Sequence, residues 1–331
     1  MSLDKLVGPM CDYRWRIRNL YKIVNKDGKV VTFVPNKEQQ DMLDTCGKRD
    51  VVLKCRQVGI TTLACIIGLD EALFNNNWNV GIIAHNRNDA EKIFDTKVKF
   101  PYDNLPAELR AAISVETDRK GELKFSNGSA TSVSSSFRSG TLQRLHISEF
   151  GKICAKRPDF AKEIITGAFP AAERGSITIE STAEGQDGAF FHMSQRAMLG
   201  KYAGPKDYKF HFYPWWDHDE YELTDPLMLL TQANDDYFAK LAYDDQIELS
   251  YEKKCWYQAE QVILGADMGR EHPSTAREAF AQALEGAYFE LQLTHAMQVG
   301  NIGRFPYDPR HEVNTFWDLG RNDLNAIWLH Q

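Results

Sequence analysis

No apolar run in this 331-residue sequence approaches the roughly 20 residues that a helix needs to cross a bilayer. The first stretch, MSLDKLVGPMCDYRWRIRNLYK, lacks the apolar core of a secretory signal. A soluble intracellular protein is expected. Cysteine is sparse, at positions 11, 46, 55, 65, 154 and 255. None of the six forms a C-x-x-C pair, and none joins histidines at zinc-ligand spacing, so they read as reduced and mostly structural. Internal repeats and low-complexity tracts are also missing. Positive charge is in deficit, with 39 Lys and Arg against 46 Asp and Glu. That balance argues against a surface given over entirely to nucleic acid. It does not exclude DNA held on one basic face, because phosphate contact is local. The charge is uneven: residues 1–30 hold seven Lys/Arg and three acids, whereas residues 215–260 hold twelve acids and three Lys. Solvated faces of both signs explain either segment equally well.

What is present is enough apolar residue, 43%, to bury a core in one large or two medium domains. Residues 13–34 read as short strands around the turn NKDGK, with Asp27-Gly28 as the hairpin signal. PNKEQQDMLDTC reads as a helix starting after Pro35. From residue 51 apolar strands alternate with helices: VVLKC, then TTLACIIGLDEALFNN, then NVGIIAH, then NRNDAEKIFDTKVKF with Asn86 or Asn88 as cap. TSVSSS, LQRLHIS and SITIEST are further short strands, and residues 116–138 read as a hairpin around SNGS. The pattern predicts an α/β fold with a mainly parallel central sheet covered on both faces. After about residue 200 the alternation stops, and an acidic helical subdomain is expected. HPSTAREAFAQALEGAYF reads as a return to the core, and VNTFWDLGRNDLNAIWLHQ as strand, turn, strand.

One further absence is the most informative. VLKCRQVGITTLA has the outline of a phosphate-binding loop, with Gly59 and Thr61 where such a loop needs them, but its usual lysine is Ile60. Gln57, Val58, Gly59, Ile60, Thr61 and Thr62 would bring backbone N–H groups and a helix N-terminus to phosphate oxygens. Thr61 would place a hydroxyl on Mg²⁺. The missing cation has two candidate replacements on the same loop, Lys54 and Arg56. An ordinary strand-turn-helix corner with a surface arginine is the competing reading of this motif alone. LQRLHISEFGK then ends a strand in an acid, as a Walker B segment does. Glu149 would activate water, and Ser148 stands where an aspartate usually meets Mg²⁺. Alternatively Glu149 is a helix-start acid. ITIESTAEG is a strand ending in Ser181 and Thr182, whose hydroxyls could sense a γ-phosphate.

In this order the motifs resemble the large subunit of viral DNA-packaging terminases, across roughly residues 13–331. FVPNKEQQDML is similar to that family's adenine-contacting segment, with Gln39 as reader. KCRQVGITT resembles its deviant P-loop, in which, in some terminases, the catalytic lysine has moved to the loop's first position, here Lys54. LHISEFGK resembles its Walker B, ESTAEG its coupling motif, and HPSTAREAF a stretch found before its second domain. FWDLGRND resembles the first strand of its RNase H-like nuclease, with Asp318 as first metal ligand. The resemblance implies an additional-strand, helicase-like P-loop ATPase core over 1–200, a helical lid and return to the core over 201–311, and the first hairpin of a nuclease over 312–331. Asp318 and Asp323 are the only acids after residue 312, too few for two-metal cleavage, so no nuclease activity is expected.

The resemblance also implies ATP and Mg²⁺ as cofactors, double-stranded DNA, a portal protein and a small terminase subunit as partners, and the cytoplasm of a host cell as location. It implies a ring of subunits, usually five, with the chain alone as a possible monomer. An arginine given in trans, Arg138 or else Arg144, would complete a neighbour's site. Lys152, Lys156 and Arg157, or Arg14, Arg16 and Arg18 on one strand face, are candidate DNA contacts. Trp215 and Trp216 read as packing or a subunit contact rather than base stacking. Two other classes fit part of the pattern. A helicase-like translocase would need a second strand-helix core, which the sequence after residue 200 does not contain. A non-hydrolysing nucleotide-binding assembly module is favoured mildly by Ile60 and Ser148.

Overall fold

The computed structural model describes residues 7–134, 137–138, 140–200, 204, 206–224, 228–281, 307–318 and 326–330. The chain divides into two compact units, Met1–Ala283 and Leu284–Gln331. In the first, β1 (Lys22–Val24) and β2 (Val30–Thr32) pair as the hairpin expected from the Asp27-Gly28 turn. Eight strands then build one sheet: β3 (Arg49–Lys54), β4 (Asn79–Ile83), β5 (Val115–Arg119), β6 (Glu122–Phe125), β7 (Ala130–Val133), β8 (Arg144–Ser148), β9 (Ser176–Ser181) and β10 (Lys209–Tyr213). Their order is β10-β3-β9-β8-β4-β7-β6-β5. The run from β10 to β7 is parallel, and β6 and β5 add an antiparallel edge. One strand, β9, separates β3 from β8, so the additional-strand arrangement read from the sequence is the one observed.

Successive side chains of a strand point to opposite faces, and here each face has its own core. Val52, Val80 and Ile82 pack on the side of the Ile60–Phe74 helix. Val51, Leu53, Ile83, Leu145, Ile147, Ile177 and Ile179 pack on the other side, with Phe150, Ile153 and Phe190. The Ile60–Phe74 helix is apolar nearly all round, as a helix buried between a sheet and further helices must be. Asn86 caps the Arg87–Phe94 helix by accepting from the Asp89 amide at 2.8 Å.

Two expectations are corrected. YRWRIRN is a helix, Tyr13–Asn19, not a strand. Asp12 caps it, accepting from the Arg14 amide at 2.8 Å. Tyr13, Ile17, Leu20 and Tyr21 recur at helical spacing toward the core, and that period overrides the alternation of arginines. The three arginines therefore share no strand face. Arg16 is buried and grips Asp70 through Nε (2.9 Å) and Nη2 (2.7 Å), Arg14 pairs with Asp44, and Arg18 donates to Gln40. A DNA-binding patch at this place is not supported. The sheet also does not end at residue 200. KFHFY forms β10 beside β3, and its alternation of His211 and Tyr213 against Phe210 and Phe212 is a strand signal inside the segment read as helical.

Beyond β10 the helices Gln232–Asp245 and Tyr251–Leu264 follow. Trp215 is fully buried and stacks on Trp256 at 5.3 Å, Trp256 stacks on Tyr221 at 4.3 Å, and His272 meets both Tyr221 and Trp256 edge-on. These tryptophans are core. Among the described residues, no helix is long and apolar enough to cross a membrane. In the second unit, β11 (Asn314–Asp318) and β12 (Ala326–His330) form an antiparallel hairpin, the strand, turn, strand read from the sequence. Asp318 closes β11, and Asp323 lies outside the described residues.

Two stability measurements follow. Asp70 is fully buried and also accepts from the Tyr21 hydroxyl at 2.7 Å. Asp70→Ala leaves a buried guanidinium without its counter-charge, with only the Met10 carbonyl still accepting from Nη1, and the Tyr21 phenol without its acceptor; it is expected to lower the urea-unfolding free energy by about 3–5 kcal/mol. A loss within the ~1 kcal/mol of a surface pair would contradict this packing. His272 is held neutral by burial, with Arg56 adding to the effect, and its pKa is pushed down to about 4. The unfolded chain, with an ordinary value near 6.5, binds the proton that the folded chain refuses. Stability is therefore complete above pH ~6.5 and falls by up to about 3 kcal/mol as pH drops toward 4. Denaturant titrations at several pH values are expected to show a shallower decline over that window in His272→Gln than in wild type.

Candidate nucleotide site

The carboxyl ends of β3, β8 and β9 converge on a cavity of about 990 Å³. Open parallel sheets place ligands at this edge, where strand ends leave a crevice. The loop after β3 carries Gln57 at φ 59° and Gly59 at φ 77°, two successive reversals that turn the chain into the Ile60–Phe74 helix. A non-glycine residue in that region is strained, and such strain gathers at sites. At Gly59 the left-handed backbone favours glycine, and a Cβ there would come within 2.5 Å of Gln39 Nε2 and displace the amide that braces the loop. Gln39 itself closes a capping box, accepting from the Asn36 amide at 3.0 Å and donating to the Gly59 carbonyl at 2.7 Å. It lines the cavity while bracing the loop.

Ile60, at the lysine's usual place, is 1% exposed and belongs to the core cluster with Leu63 and Val58. The loop has given that position to packing. The cation lies instead at the end of β3. Lys54 is buried, with Nζ 3.3 Å from Glu149 Oε1 and 3.2 Å from Glu180 Oε2. Burial opposes its charge, but Glu180 and then Glu149 raise its pKa above the ordinary lysine value. Lys54 is therefore a fixed cation at the cavity wall. Arg56 also lines the cavity, but its Nη1 lies 3.1 Å from Glu271 Oε2.

Glu149 sits at the N-cap of the Phe150–Lys156 helix with φ 57°, and its side chain makes no capping hydrogen bond. It lines the cavity and faces Lys54, so the helix-start reading accounts for its position and not for its side chain. Ser148 is 2% exposed and is not among the residues that line the cavity. Ser181 Oγ is buried with no hydrogen-bond partner, and Thr182 lines the cavity. Thr61 lines it too, and its hydroxyl donates to Glu180 Oε1 at 2.7 Å. Thr62 Oγ1 accepts from Lys97 Nζ at 2.6 Å.

Glu180 and Lys97 are site residues that the motifs did not name. Glu180 is fully buried in a central strand, and lies 3.4 Å from His146 Nε2 as well. Burial alone would raise its pKa, but Lys54, then His146 and Ser148, hold it below the usual carboxylate range. The signal was available in ITIES: Ile177 and Ile179 fill one face, which leaves Glu180 alone as a charge on the other, in a sheet covered on both sides. Lys97 comes from the π-helical turn Asp95–Lys99, a helix irregularity often found at sites.

The residues fit a hard cation held largely by phosphates. Among the described residues no cluster of three or more His, Cys, Asp or Glu could hold a metal unaided. A threonine hydroxyl backed by a carboxylate beside a phosphate-sized loop suits Mg²⁺, which keeps few protein ligands and shares itself with substrate oxygens. When bound, that ion supplies charge compensation for the terminal phosphates.

Other sequence candidates lie elsewhere. Arg144 is buried and locked in a bidentate pair with Glu71, Nε and Nη2 each at 2.7 Å, which does not fit the role of an arginine given in trans. Arg138 does not line the cavity; it is more than half exposed and lies 3.8 Å from Glu163. Lys152 and Lys156 line the cavity rather than standing apart from it, while Arg157 donates to the His85 carbonyl at 2.8 Å and covers Phe160. Asp318 belongs to the second unit.

No protein-family model and no curated protein matches this sequence. Solved structures do. The large terminase of bacteriophage HK97 aligns at 17% identity with a TM-score of 0.50, over 78% of this chain and 53% of its own length. The large terminase ATPase domain of Thermus phage P74-26 aligns at 17% identity and TM-score 0.48, over 72% of this chain and 93% of that domain. The large terminase of a thermophilic bacteriophage, in complex with ADP, aligns at 12% identity and TM-score 0.37, over 88% of this chain and 64% of its own. The chain thus spans about half the length of the HK97 protein, and what it shares with it is the fold of a phage large terminase.

Proposed function

We propose that this chain is the ATPase part of a large terminase, a motor that hydrolyses Mg²⁺·ATP to drive double-stranded viral DNA into a procapsid. The observation that carries the proposal is Lys54, fixed at a phosphate-sized loop between Glu149 and the buried Glu180. In this reading Lys54 compensates charge on the β and γ phosphates and Arg56 assists it on leaving Glu271. Thr61 and the loop amides orient the phosphates, Thr62 and Thr182 add hydroxyl contacts, Ser181 lies buried behind them, and Gln39 lies toward the base. Glu149, which stands in the cavity without a capping role, takes the proton of the attacking water as the Lys54 contact opens. Arg138 completes the site of the next subunit in a ring of five docked on a portal protein, with a small terminase subunit recruiting DNA in the host cytoplasm. Asp318 serves as the first metal ligand of an RNase H-like nuclease.

Burial of Ile60 and of Ser148 supports a second reading, a nucleotide-binding module for assembly without hydrolysis. Glu149→Gln separates the two. Lys54→Ala is the less clean test, because it leaves Glu180 as an uncompensated buried charge and costs folding as well. Under the ATPase reading, steady-state turnover with Mg²⁺ falls by about 10²–10⁴-fold in Glu149→Gln while nucleotide affinity is kept. Unchanged turnover would sink the catalytic role of Glu149, and wild-type binding without turnover would favour the assembly module. For the arginine, Arg138→Ala and Glu149→Gln proteins are each expected to be slow alone. Mixed, they are expected to turn over faster than the sum of the two, since one mixed interface holds both native residues. A strictly additive mixture would remove Arg138 from the neighbour's site.

A further inference from the structure

We propose that Glu180 on β9, rather than Ser148 at the end of β8, is the carboxylate that organises the Mg²⁺ side of this site, by fixing the Thr61 hydroxyl. The inference rests on the nucleotide-site reading and adds a residue to it.

A P-loop needs two things beside its threonine. It needs an acid that accepts the hydroxyl proton, so that the oxygen lone pairs face the metal, and it needs negative charge behind the cation. The strand end that ordinarily supplies the acid here ends in Ser148, which is neutral, short and buried. Glu180 is the register partner of Ser148 on the adjacent parallel strand, so the two side chains leave the sheet on the same face, toward the Ile60–Phe74 helix. Its longer side chain spans from β9 to the helix start. Oε1 accepts from Thr61 Oγ1 at 2.7 Å. A hydroxyl has one proton. With that proton committed beneath the cavity floor, the Thr61 oxygen can offer only lone pairs to the cavity, which is what a cation requires.

A second observation is independent of that hydrogen bond. Glu180 Oε2 is buried and pairs with Lys54 Nζ at 3.2 Å, so the same carboxylate holds both the threonine and the lysine of the site. Lys54 is shared between Glu180 and Glu149. Glu180 does not itself line the cavity, so it acts through Thr61 and Lys54 as a positioning residue.

The test titrates Mg²⁺ into the full-length chain saturated with a fluorescent ADP analogue, and measures analogue affinity in EDTA separately. Glu180→Gln keeps the shape and removes the charge. It is expected to weaken Mg²⁺ binding by about 10–100-fold, the usual cost of losing a partner behind a metal ligand, while affinity in EDTA is retained. Thr61→Val is expected to cost about as much, and the double variant no more than either alone, because both act through one hydroxyl. Ser148→Asp placed in Glu180→Gln is expected to recover Mg²⁺ affinity, and it keeps the idea testable should Glu180→Gln fold poorly. Undiminished Mg²⁺ affinity in a folded Glu180→Gln protein, or fully additive losses in the double variant, would overturn the proposal. Wild-type protein that binds no analogue with or without Mg²⁺ would instead overturn the nucleotide-site reading beneath it, and this proposal with it.

Discussion

The site is organised by one buried ion pair, Lys54 with Glu180. Removing a lysine and a carboxylate from water costs several kcal/mol per ion, and only close mutual compensation makes it tolerable. That constraint spreads outward. Glu180 must stay ionised to hold Lys54, so it also collects Thr61 and lies against His146. Thr61 is thereby anchored at the first turn of the Ile60–Phe74 helix, and the loop before it must bend twice through left-handed backbone to reach that point. Lys54 in turn holds Glu149 at the cavity. Loop, strand end and Glu149 are therefore one electrostatic unit, not three separate motifs.

The sheet order makes this unit possible. With β9 inserted between β3 and β8, a residue of β9 is one strand from Lys54 and one strand from Ser148. A charge on β9 can then serve both neighbours. The same order leaves Lys54, Glu149 and Thr182 along one edge of the sheet, where a ligand can reach them. With a lysine at the end of β3, position 60 is left to an isoleucine, which adds to a core that a charged side chain would have to leave.

Much of this was legible in the sequence, and the physical reasons are specific. The parallel strands were readable because apolar runs of four to six residues alternate with an apolar helix and a capped one, Asn86 being the clear cap. Gly59 and Thr61 could be placed because the loop's chemistry fixes their spacing. YRWRIRN was misread because three alternating arginines imitate a strand, whereas the Asp12 cap and the Tyr13, Ile17, Tyr21 spacing that decide the matter need a partner surface to count. KFHFY was passed over because a strand at the sheet's end follows a segment with no strand-helix rhythm. Glu180 was missed since motif reading looks at strand ends, while this carboxylate lies one residue inside and is found only by asking what compensates a charge in a buried strand. Arg144 looked free in the sequence because its partner Glu71 lies 73 residues away.

The central claim is that the phosphate-compensating cation of this loop is Lys54. The most direct measurement is a crystal structure of the chain with Mg²⁺ and a non-hydrolysable ATP analogue. The account predicts Lys54 Nζ at about 2.7–3.2 Å from a β- or γ-phosphate oxygen, Glu180 still bonded to Thr61, and Ile60 still in the core. Phosphates bound with Lys54 still closed on Glu149 and out of reach of every phosphate oxygen, their charge met by Lys97 or Arg56 instead, would contradict it.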